Sequence, residues 1–115
     1  MVKISGKSRV LTIYIGEADR YRGKPLYKAI VELARKEGLA GATVIREIEG
    51  FGAHSRLHTA NILRLSGDLP IVIKIGDSQE YLDKILPRLD EMVKEGLITI
   101  EDADVIKYRT EANKR

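Results

Sequence analysis

The chain has 115 residues, of which 43% are hydrophobic, so we expect one domain over residues 1–115 with a core of its own. It contains no cysteine, which excludes a disulfide scaffold, a thiolate metal centre and a thiol nucleophile, and fits a cytoplasmic protein. The net charge of +3 suits an anionic ligand and is too small to indicate nucleic acid. The sequence starts with no signal-peptide core and has no apolar run of membrane-spanning length, so we expect a soluble protein.

The first half of the chain predicts a strand, a helix and a second strand. Residues 8–16 alternate apolar and polar side chains, as a half-buried strand does. Residues 25–36 place apolar side chains at helical spacing, and Gly38 is suited to end that helix. A second alternating run covers residues 43–50.

The second half begins with a compact β-branched run over residues 69–75, which predicts a third strand. Asp77 or Ser78 is suited to cap a second helix, which we expect to end at Gly96. Pro87 lies within its apolar stripe and should kink or split the helix.

The last residues predict a short strand at 97–100, a turn at 101–104 and a final extended segment at 105–109. Residues 110–115 are polar and are expected to form a frayed tail. The element order is β-α-β-β-α-β, which predicts an α+β, ferredoxin-like fold: an antiparallel sheet with two helices on one face.

This fold leaves the other face of the sheet uncovered. Val10, Tyr14, Val72 and one of Ile45 or Ile48 should lie exposed there. An apolar patch of that kind on a small protein usually indicates association.

The segment Gly50-Phe51-Gly52-Ala53-His54-Ser55-Arg56-Leu57-His58 concentrates potential ligand-binding groups. Backbone N–H groups near two glycines can form a nest for anionic oxygens. The guanidinium groups of Arg56 and Arg109 suit phosphate, and Lys107 adds a point charge. The single phenylalanine, Phe51, could pack on a base or belong to the core.

Three segments resemble the PII-like signalling proteins, and more closely an uncharacterised bacterial and archaeal PII-like family known as a domain of unknown function. The segments are Gly38-Leu39-Ala40-Gly41-Ala42-Thr43-Val44, Gly50-Phe51-Gly52, and Val105-Ile106-Lys107-Tyr108-Arg109. In PII proteins the first opens the second strand, the second precedes the long T-loop, and the third forms the terminal strand.

The resemblance implies a homotrimer whose open sheet faces turn inward and which binds an adenine nucleotide in clefts between subunits. Residues 53–68 would form a T-loop-like segment that switches for recognition of a protein partner, for example a membrane transporter. The residues that the resemblance and the anion chemistry together assign to the nucleotide are Gly41, Ala42, Thr43, Gly50, Phe51, Gly52, Ala53, His54, Arg56, Lys107 and Arg109.

The chain also departs from the PII pattern. It has one extra residue between Thr43 and Gly50, which inverts side-chain facing unless a bulge absorbs it. The glycine-rich phosphate loop after the second helix is missing, which favours ADP, and after it AMP, a cyclic nucleotide or ATP, with no metal. Residues 53–68 contain no tyrosine for uridylylation.

Other functional classes fit less well. His54 and His58, at i and i+4, could begin a zinc or copper site, as in the copper-tolerance trimers that share this architecture. No residue set with complementary catalytic roles is present, so we expect no enzyme; Asn61 lacks the arginine cradle of an acylphosphatase. An RNA-binding domain would need aromatic residues on both central strands, whereas only Tyr14 is available.

Overall fold

A computed structural model describes residues 2–47, 49–50, 58–59 and 70–111. Two helical stretches and one large sheet account for most of these residues. In chain order the elements are β1 (Val2–Gly16), β2 (Arg20–Tyr21), β3 (Lys24–Pro25), α1 (Leu26–Lys36), β4 (Thr43–Arg46), β5 (Glu49–Gly50), β6 (His58–Thr59), β7 (Pro70–Asp77), α2 (Gln79–Leu82), α3 (Leu86–Met92) and β8 (Leu97–Thr110).

The main sheet has four strands in the order β4-β7-β1-β8. The pairs β4–β7, β7–β1 and β1–β8 are all antiparallel. Helix α1 connects β1 to β4 across the intervening β7, and α2 and α3 connect β7 to β8. The predicted α+β, ferredoxin-like arrangement is therefore confirmed.

One face of the sheet packs against the helices and forms the core. Alternation along β1 and β7 sends every second side chain to this face, where branched aliphatic residues fill the space between sheet and helices. The core residues are Leu11, Ile13, Ile15, Leu26, Ala29, Ile30, Leu33, Ala34, Leu39, Ile71, Ile73, Ile75, Leu82, Ile85, Leu89 and Met92.

The helical connection from β7 to β8 is split, as predicted from Pro87. The short α2 is capped by Ser78, whose Oγ accepts a hydrogen bond from the Tyr81 N–H at 3.3 Å. Helix α3 begins at Leu86 with Pro87 in its first turn, where the missing N–H costs nothing. It ends at Met92 rather than at Gly96 as predicted. Gly96 instead lies against β1, where an added Cβ would come within 2.5 Å of the Tyr14 carbonyl oxygen.

The terminal strands are longer than the sequence predicted. Strand β8 is continuous, so the predicted turn at 101–104 is wrong, and Thr110 pairs with Val2 rather than fraying. Pairing with β1 satisfies the backbone of this polar stretch and outweighs its low strand propensity. A bulge falls where the register shifts between Ile4 and Gly6 of β1.

Strand β4 is shorter than predicted. It ends at Arg46, and the Glu47 N–H then donates to the Pro70 carbonyl at 2.8 Å. Residues Glu49–Gly50 pair with His58–Thr59 in a separate two-stranded ladder. Of the interval 43–50, which holds one residue more than the PII pattern, the main sheet therefore includes only Thr43–Arg46.

The face of the sheet away from the helices carries one apolar row across all four strands. Ile45, Val72, Tyr14 and Leu97 are register neighbours in this order. We call this set the apolar row. Ile45 (44%), Tyr14 (41%) and Leu97 (56%) are exposed.

The predicted exposure of the open face is only partly right. Tyr14 and Ile45 are exposed, but Val72, between them in the row, is only 6% exposed because large register partners flank it on both sides. Val10 is half-buried, and Ile48 lies outside the described residues.

The polar connection after β1 contains a hairpin that the sequence analysis did not predict. Strands β2 and β3 pair through Arg20–Pro25 and Tyr21–Lys24. The two residues between them, Arg22 and Gly23, have φ of +48° and +83°, the left-handed pair of a type I′ turn.

None of the helices in the described part of the chain combines the length and hydropathy needed to traverse a lipid bilayer.

Candidate functional site

The two ends of the main sheet carry different sets of the predicted ligand-binding residues. We call the end where β4 begins and β7 finishes the Asp77 end, and the end where β1 finishes and β7 begins the Gly16 end. Thr43 pairs with Lys74 near the first end, and Arg46 pairs with Ile71 near the second.

Asp77 fixes the segment that leads into β4. Its side chain is fully buried. Its Oδ2 accepts from the Ala40 N–H at 2.9 Å, and its Oδ1 accepts from the Ser78 N–H at 2.7 Å. Hydrogen bonds from backbone N–H groups to a buried carboxylate are among the stronger ones in proteins. The carboxylate therefore joins the residues before β4 to the turn after β7.

Tyr108 joins the terminal strand to the same segment. Its hydroxyl donates to the Ala40 carbonyl oxygen at 3.1 Å. Its neighbours Lys107 and Arg109 are both exposed. Both backbone polar groups of Ala40 are thus held by side chains from other strands, and the two cations flank Tyr108 in the terminal strand.

The Asp77 end therefore brings together two of the predicted groups. Gly41 and Thr43 are exposed and Ala42 is half-buried, directly after the segment that Asp77 and Tyr108 hold. The cations Lys107 and Arg109 come from a strand more than 60 residues later in the chain. Residues 41–43 and the two cations thus lie at the same end of the sheet, on its two opposite edge strands, and groups of this chemistry suit an anionic ligand.

The remaining predicted residues belong to the other end or fall outside the description. Gly50 follows Glu47, which is bound to Pro70 at the Gly16 end. Strand β4 separates the two groups by roughly 10 Å, at about 3.3 Å per residue. The predicted residues that lie outside the described part of the chain are Phe51, Gly52, Ala53, His54 and Arg56.

A charged row crosses three strands at the Asp77 end, on the helix side. Arg9 is the register partner of Asp77 on β7 and of Asp102 on β8. Its Nε lies 3.3 Å from Asp102 Oδ1, without the geometry of a hydrogen bond. At the Gly16 end, Arg46 forms an ion pair with Glu17 and so ties the end of β4 to the chain leaving β1.

The metal alternative gains no support from the part of the chain that the structure describes. Over residues 2–47, 49–50, 58–59 and 70–111, no three His, Cys, Asp or Glu residues are grouped as metal ligands. His54 lies outside these residues, and His58 is placed only as the register partner of Gly50. A two-histidine site stays a prediction.

Two residues that build the Asp77 end were not identified from the sequence. Asp77 was considered only as a helix cap, a role that Ser78 takes, and Tyr108 only as a residue between two cations. The available signal was an aspartate that directly ends a buried strand, since such a position often binds the backbone of a neighbouring loop. Its partner at Ala40 depends on the tertiary fold.

Comparison with known families and proteins places the chain among relatives of the same size. Residues 8–105 match the family DUF190, described as Uncharacterized ACR, COG1993. The chain is 39% identical over 105 residues to the UPF0166 protein MJ1524 of Methanocaldococcus jannaschii, covering 90% of this chain and 96% of that one. It is 37% identical over 100 residues to a UPF0166 protein of Aquifex aeolicus, covering 87% and 94%.

Solved structures with a similar fold include CPII, a nitrogen regulatory PII-like protein from Thiomonas intermedia K12. With CPII bound to ADP, AMP and bicarbonate, the TM-score is 0.68 at 18% identity, covering 86% of this chain and 88% of CPII. With CPII bound to ADP and bicarbonate, it is 0.64 at 18% identity, covering 95% of each. At this identity the likeness is one of fold. The fold is PII-like, and the chain belongs to the DUF190 (UPF0166) family.

Proposed function

We propose that the protein binds an adenine nucleotide, with ADP as the preferred ligand, in clefts between the subunits of a homotrimer. It acts as a PII-like regulator by binding rather than by catalysis. The observation that carries this proposal is the division of the predicted site between the two ends of the sheet. The start of β4 and the terminal-strand cations lie at one end, and the Gly50 segment follows from the other.

A divided site becomes complete when the Asp77 end of one subunit meets the Gly16 end of the next. A cyclic trimer creates three such contacts, each with residues from two subunits. The nucleotide would then lie between Thr43, Lys107 and Arg109 of one subunit and the Gly50 segment of its neighbour.

The open face supplies a reason for the subunits to associate. The apolar row leaves Tyr14, Ile45 and Leu97 between 41% and 56% exposed. Burying apolar surface stabilises a complex by about 25 cal/mol per Å² removed from water. We therefore assign the apolar row to the inner surface of the trimer.

The chemistry at the Asp77 end suits the phosphates of the ligand. Arg109 offers a planar guanidinium for bidentate contact with phosphate oxygens, and Lys107 adds a positive charge. Because Asp77 and Tyr108 fix both polar groups of Ala40, the neighbouring residues 41–43 are held in place before the ligand binds. CPII, which shares the fold, has been solved with ADP and AMP, and this supports the choice of an adenine nucleotide.

Regulation would pass through residues 53–68, the T-loop-like segment that follows Gly50. Nucleotide contacts at the start of this segment would favour one of its arrangements, and that arrangement would bind a protein partner. A ligand can shift such an equilibrium only by its difference in affinity for the two states.

The test combines calorimetry with native mass spectrometry. We expect the purified protein to be a trimer that binds ADP more tightly than AMP or ATP. Arg109→Ala should weaken ADP binding by about tenfold or more, since a hydrogen bond to a charged group contributes about 1.5–3 kcal/mol. Arg35→Ala removes the same charge from an exposed position on α1 and should leave ADP binding unchanged.

Two results would contradict the proposal. One is a monodisperse monomer that binds none of the three nucleotides. The other is equal ADP affinity in Arg109→Ala and in the native protein, which would remove the terminal strand from the site.

A further inference from the structure

The open face of the sheet carries few charges. Over residues 9–14 of β1, the stretch that pairs on both sides, the described residues place two charged side chains on this face. They are Lys74 on β7, which is the register partner of Thr12, and Glu101 on β8, which is the register partner of Val10. Both side chains are exposed. The open face therefore presents one cation and one anion in this stretch.

Neither of these charges is neutralised within the described part of the chain. Strand β1 lies between β7 and β8, and Lys74 and Glu101 also differ by two residues along the strands. Two strand spacings and this offset put their Cα atoms roughly 12 Å apart. The ion pairs between described residues include neither side chain. Both charges are therefore available to a partner outside their own chain.

Lys74 lies directly beside the apolar row. It is two residues from Val72 along β7 and on the same face, and Val72 lies between Tyr14 and Ile45 in the row. A surface that covers the row therefore also reaches Lys74. An ammonium group that loses water without gaining a counter-charge is destabilising, and a second cation opposite it would be repulsive. The surface that covers the apolar row should thus present a carboxylate to Lys74.

A second copy of the chain meets these requirements. Its own open face has exposed apolar side chains, and its carboxylate in this stretch is Glu101. A cyclic assembly uses heterologous contacts, in which different patches of two identical subunits meet. Lys74 lies in the half of the face formed by β4 and β7, whereas Glu101 lies in the half formed by β1 and β8. A contact between unlike halves therefore brings opposite charges together.

We propose that the open face binds a second copy of this chain, with Lys74 of one subunit paired with Glu101 of the next. The inference rests on the proposed homotrimer and adds how its subunits recognise one another. The apolar row would supply buried area, and the charge pair would fix the register, since a shifted contact leaves Lys74 without its carboxylate. Three such pairs would form in one ring.

A charge swap tests this pair. Lys74→Glu places two carboxylates in each contact, and Glu101→Lys places two ammonium groups there. We expect each single variant to need at least about tenfold more protein for half assembly. The double variant restores opposite charges in reversed order and should assemble within about threefold of the native concentration. Light scattering after size-exclusion chromatography, over a dilution series, measures the mass.

Lys28→Glu is the matched control, because it reverses the same charge at an exposed position of α1, on the other side of the sheet. It should assemble as the native protein does. Circular dichroism shows whether each variant folds. Because Lys74 and Glu101 are exposed in a single chain, their variants should keep the native spectrum.

A mixture of the two single variants tests the symmetry of the contact. In a ring of three, two subunits must be the same variant, so one contact always keeps like charges. A two-fold dimer formed from the two variants has no such contact. The mixture should therefore assemble less completely than the double variant, and equal assembly would overturn the three-fold pairing.

The proposal is also overturned if both single variants assemble like Lys28→Glu, or if the double variant assembles no better than either single variant. Normal assembly of Lys74→Glu with lost ADP binding would overturn it as well, because Lys74 would then contact the ligand. In these cases a native trimer that binds ADP leaves the proposed function intact. A native protein that stays monomeric overturns both proposals.

Discussion

The two faces of the main sheet are formed by the same strands but differ in their exposure to solvent. Ile13 and Tyr14 are consecutive in β1, yet Ile13 is fully buried against the helices while Tyr14 is 41% exposed. Alternation along the strand puts them on opposite faces. The chain thus covers one face with its own helices and leaves large apolar side chains of the other face exposed.

The open face is also divided along the strands. Next to the apolar row lies a row of register neighbours that is entirely polar: Thr43, Lys74, Thr12 and Thr99. The exposed large apolar side chains of the apolar row therefore lie in the half of the face nearer the Gly16 end, and Val10, beyond the polar row, is half-buried. In the trimer that we propose, contact between subunits would be centred on the apolar row, with polar groups toward the Asp77 end.

The largest expected effect on stability comes from truncating a core side chain on the face of the sheet that packs against the helices. Ile73 is fully buried between β4, β1 and the helices, so Ile73→Ala leaves a cavity and should lower the free energy of unfolding by about 3 kcal/mol. Urea denaturation followed by circular dichroism measures this. Ile45→Ala, on the open face, is the matched comparison and should cost less than about 1 kcal/mol when the chain is monomeric. Equal losses would mean that both faces are closed within one chain.

A smaller effect on stability is expected from a substitution at the Asp77 end, which contains part of the candidate site. Asp77→Asn keeps a single side-chain oxygen acceptor. The Ala40 and Ser78 N–H groups, which bond to separate carboxylate oxygens in the native protein, would have to share it. We expect a loss of about 2 kcal/mol in the same denaturation experiment. Since residues 41–43 would lose their anchor, ADP affinity should fall as well.

Asp90→Asn, on the exposed side of α3, is the control for this prediction and should change neither quantity. If Asp77→Asn keeps full stability and full ADP affinity, the carboxylate does not position the start of β4.

The smallest effect on the folding of a single chain is expected on the open face. Tyr14→Lys should change the stability of a monomer by no more than about 0.5 kcal/mol, because the side chain is exposed there. It should nevertheless shift the assembly toward monomers, since a charge would enter an apolar contact. Light scattering after size-exclusion chromatography measures the mass. Lys74→Arg, in the polar row of the same face, should assemble normally, and a trimeric Tyr14→Lys would exclude the apolar row from the interface.

Much of the fold could be predicted from local patterns. The alternation in residues 8–16 and the spacing in residues 25–36 correctly gave a strand and a helix, and Pro87 correctly predicted a split helix. The predictions were wrong where pairing between strands outweighed the local amino-acid composition. The acidic composition of Glu101-Asp102-Ala103-Asp104 predicts a turn, yet the segment is a strand because β1 pairs with it along its whole length.

The candidate site was predicted less completely, because its parts are distant in sequence. The motif comparison pointed to Thr43 and Arg109 separately, but only the fold shows that Tyr108 binds Ala40 and brings the two segments together. The role of Asp77 depends on a contact 37 residues away in the chain. A contact between residues so far apart in the chain cannot be predicted from local sequence patterns.

The sequence by itself determined the central strands, the long helix and which face of each central strand is apolar, because these properties follow from side-chain periodicity along the chain. The tertiary structure decided which strand ends meet, that Ala40 is held by Asp77 and Tyr108, and that the predicted ligand residues lie at two opposite ends. The physical reason is that register and burial depend on pairing between distant segments, whose free energy is gained only when the whole sheet is assembled.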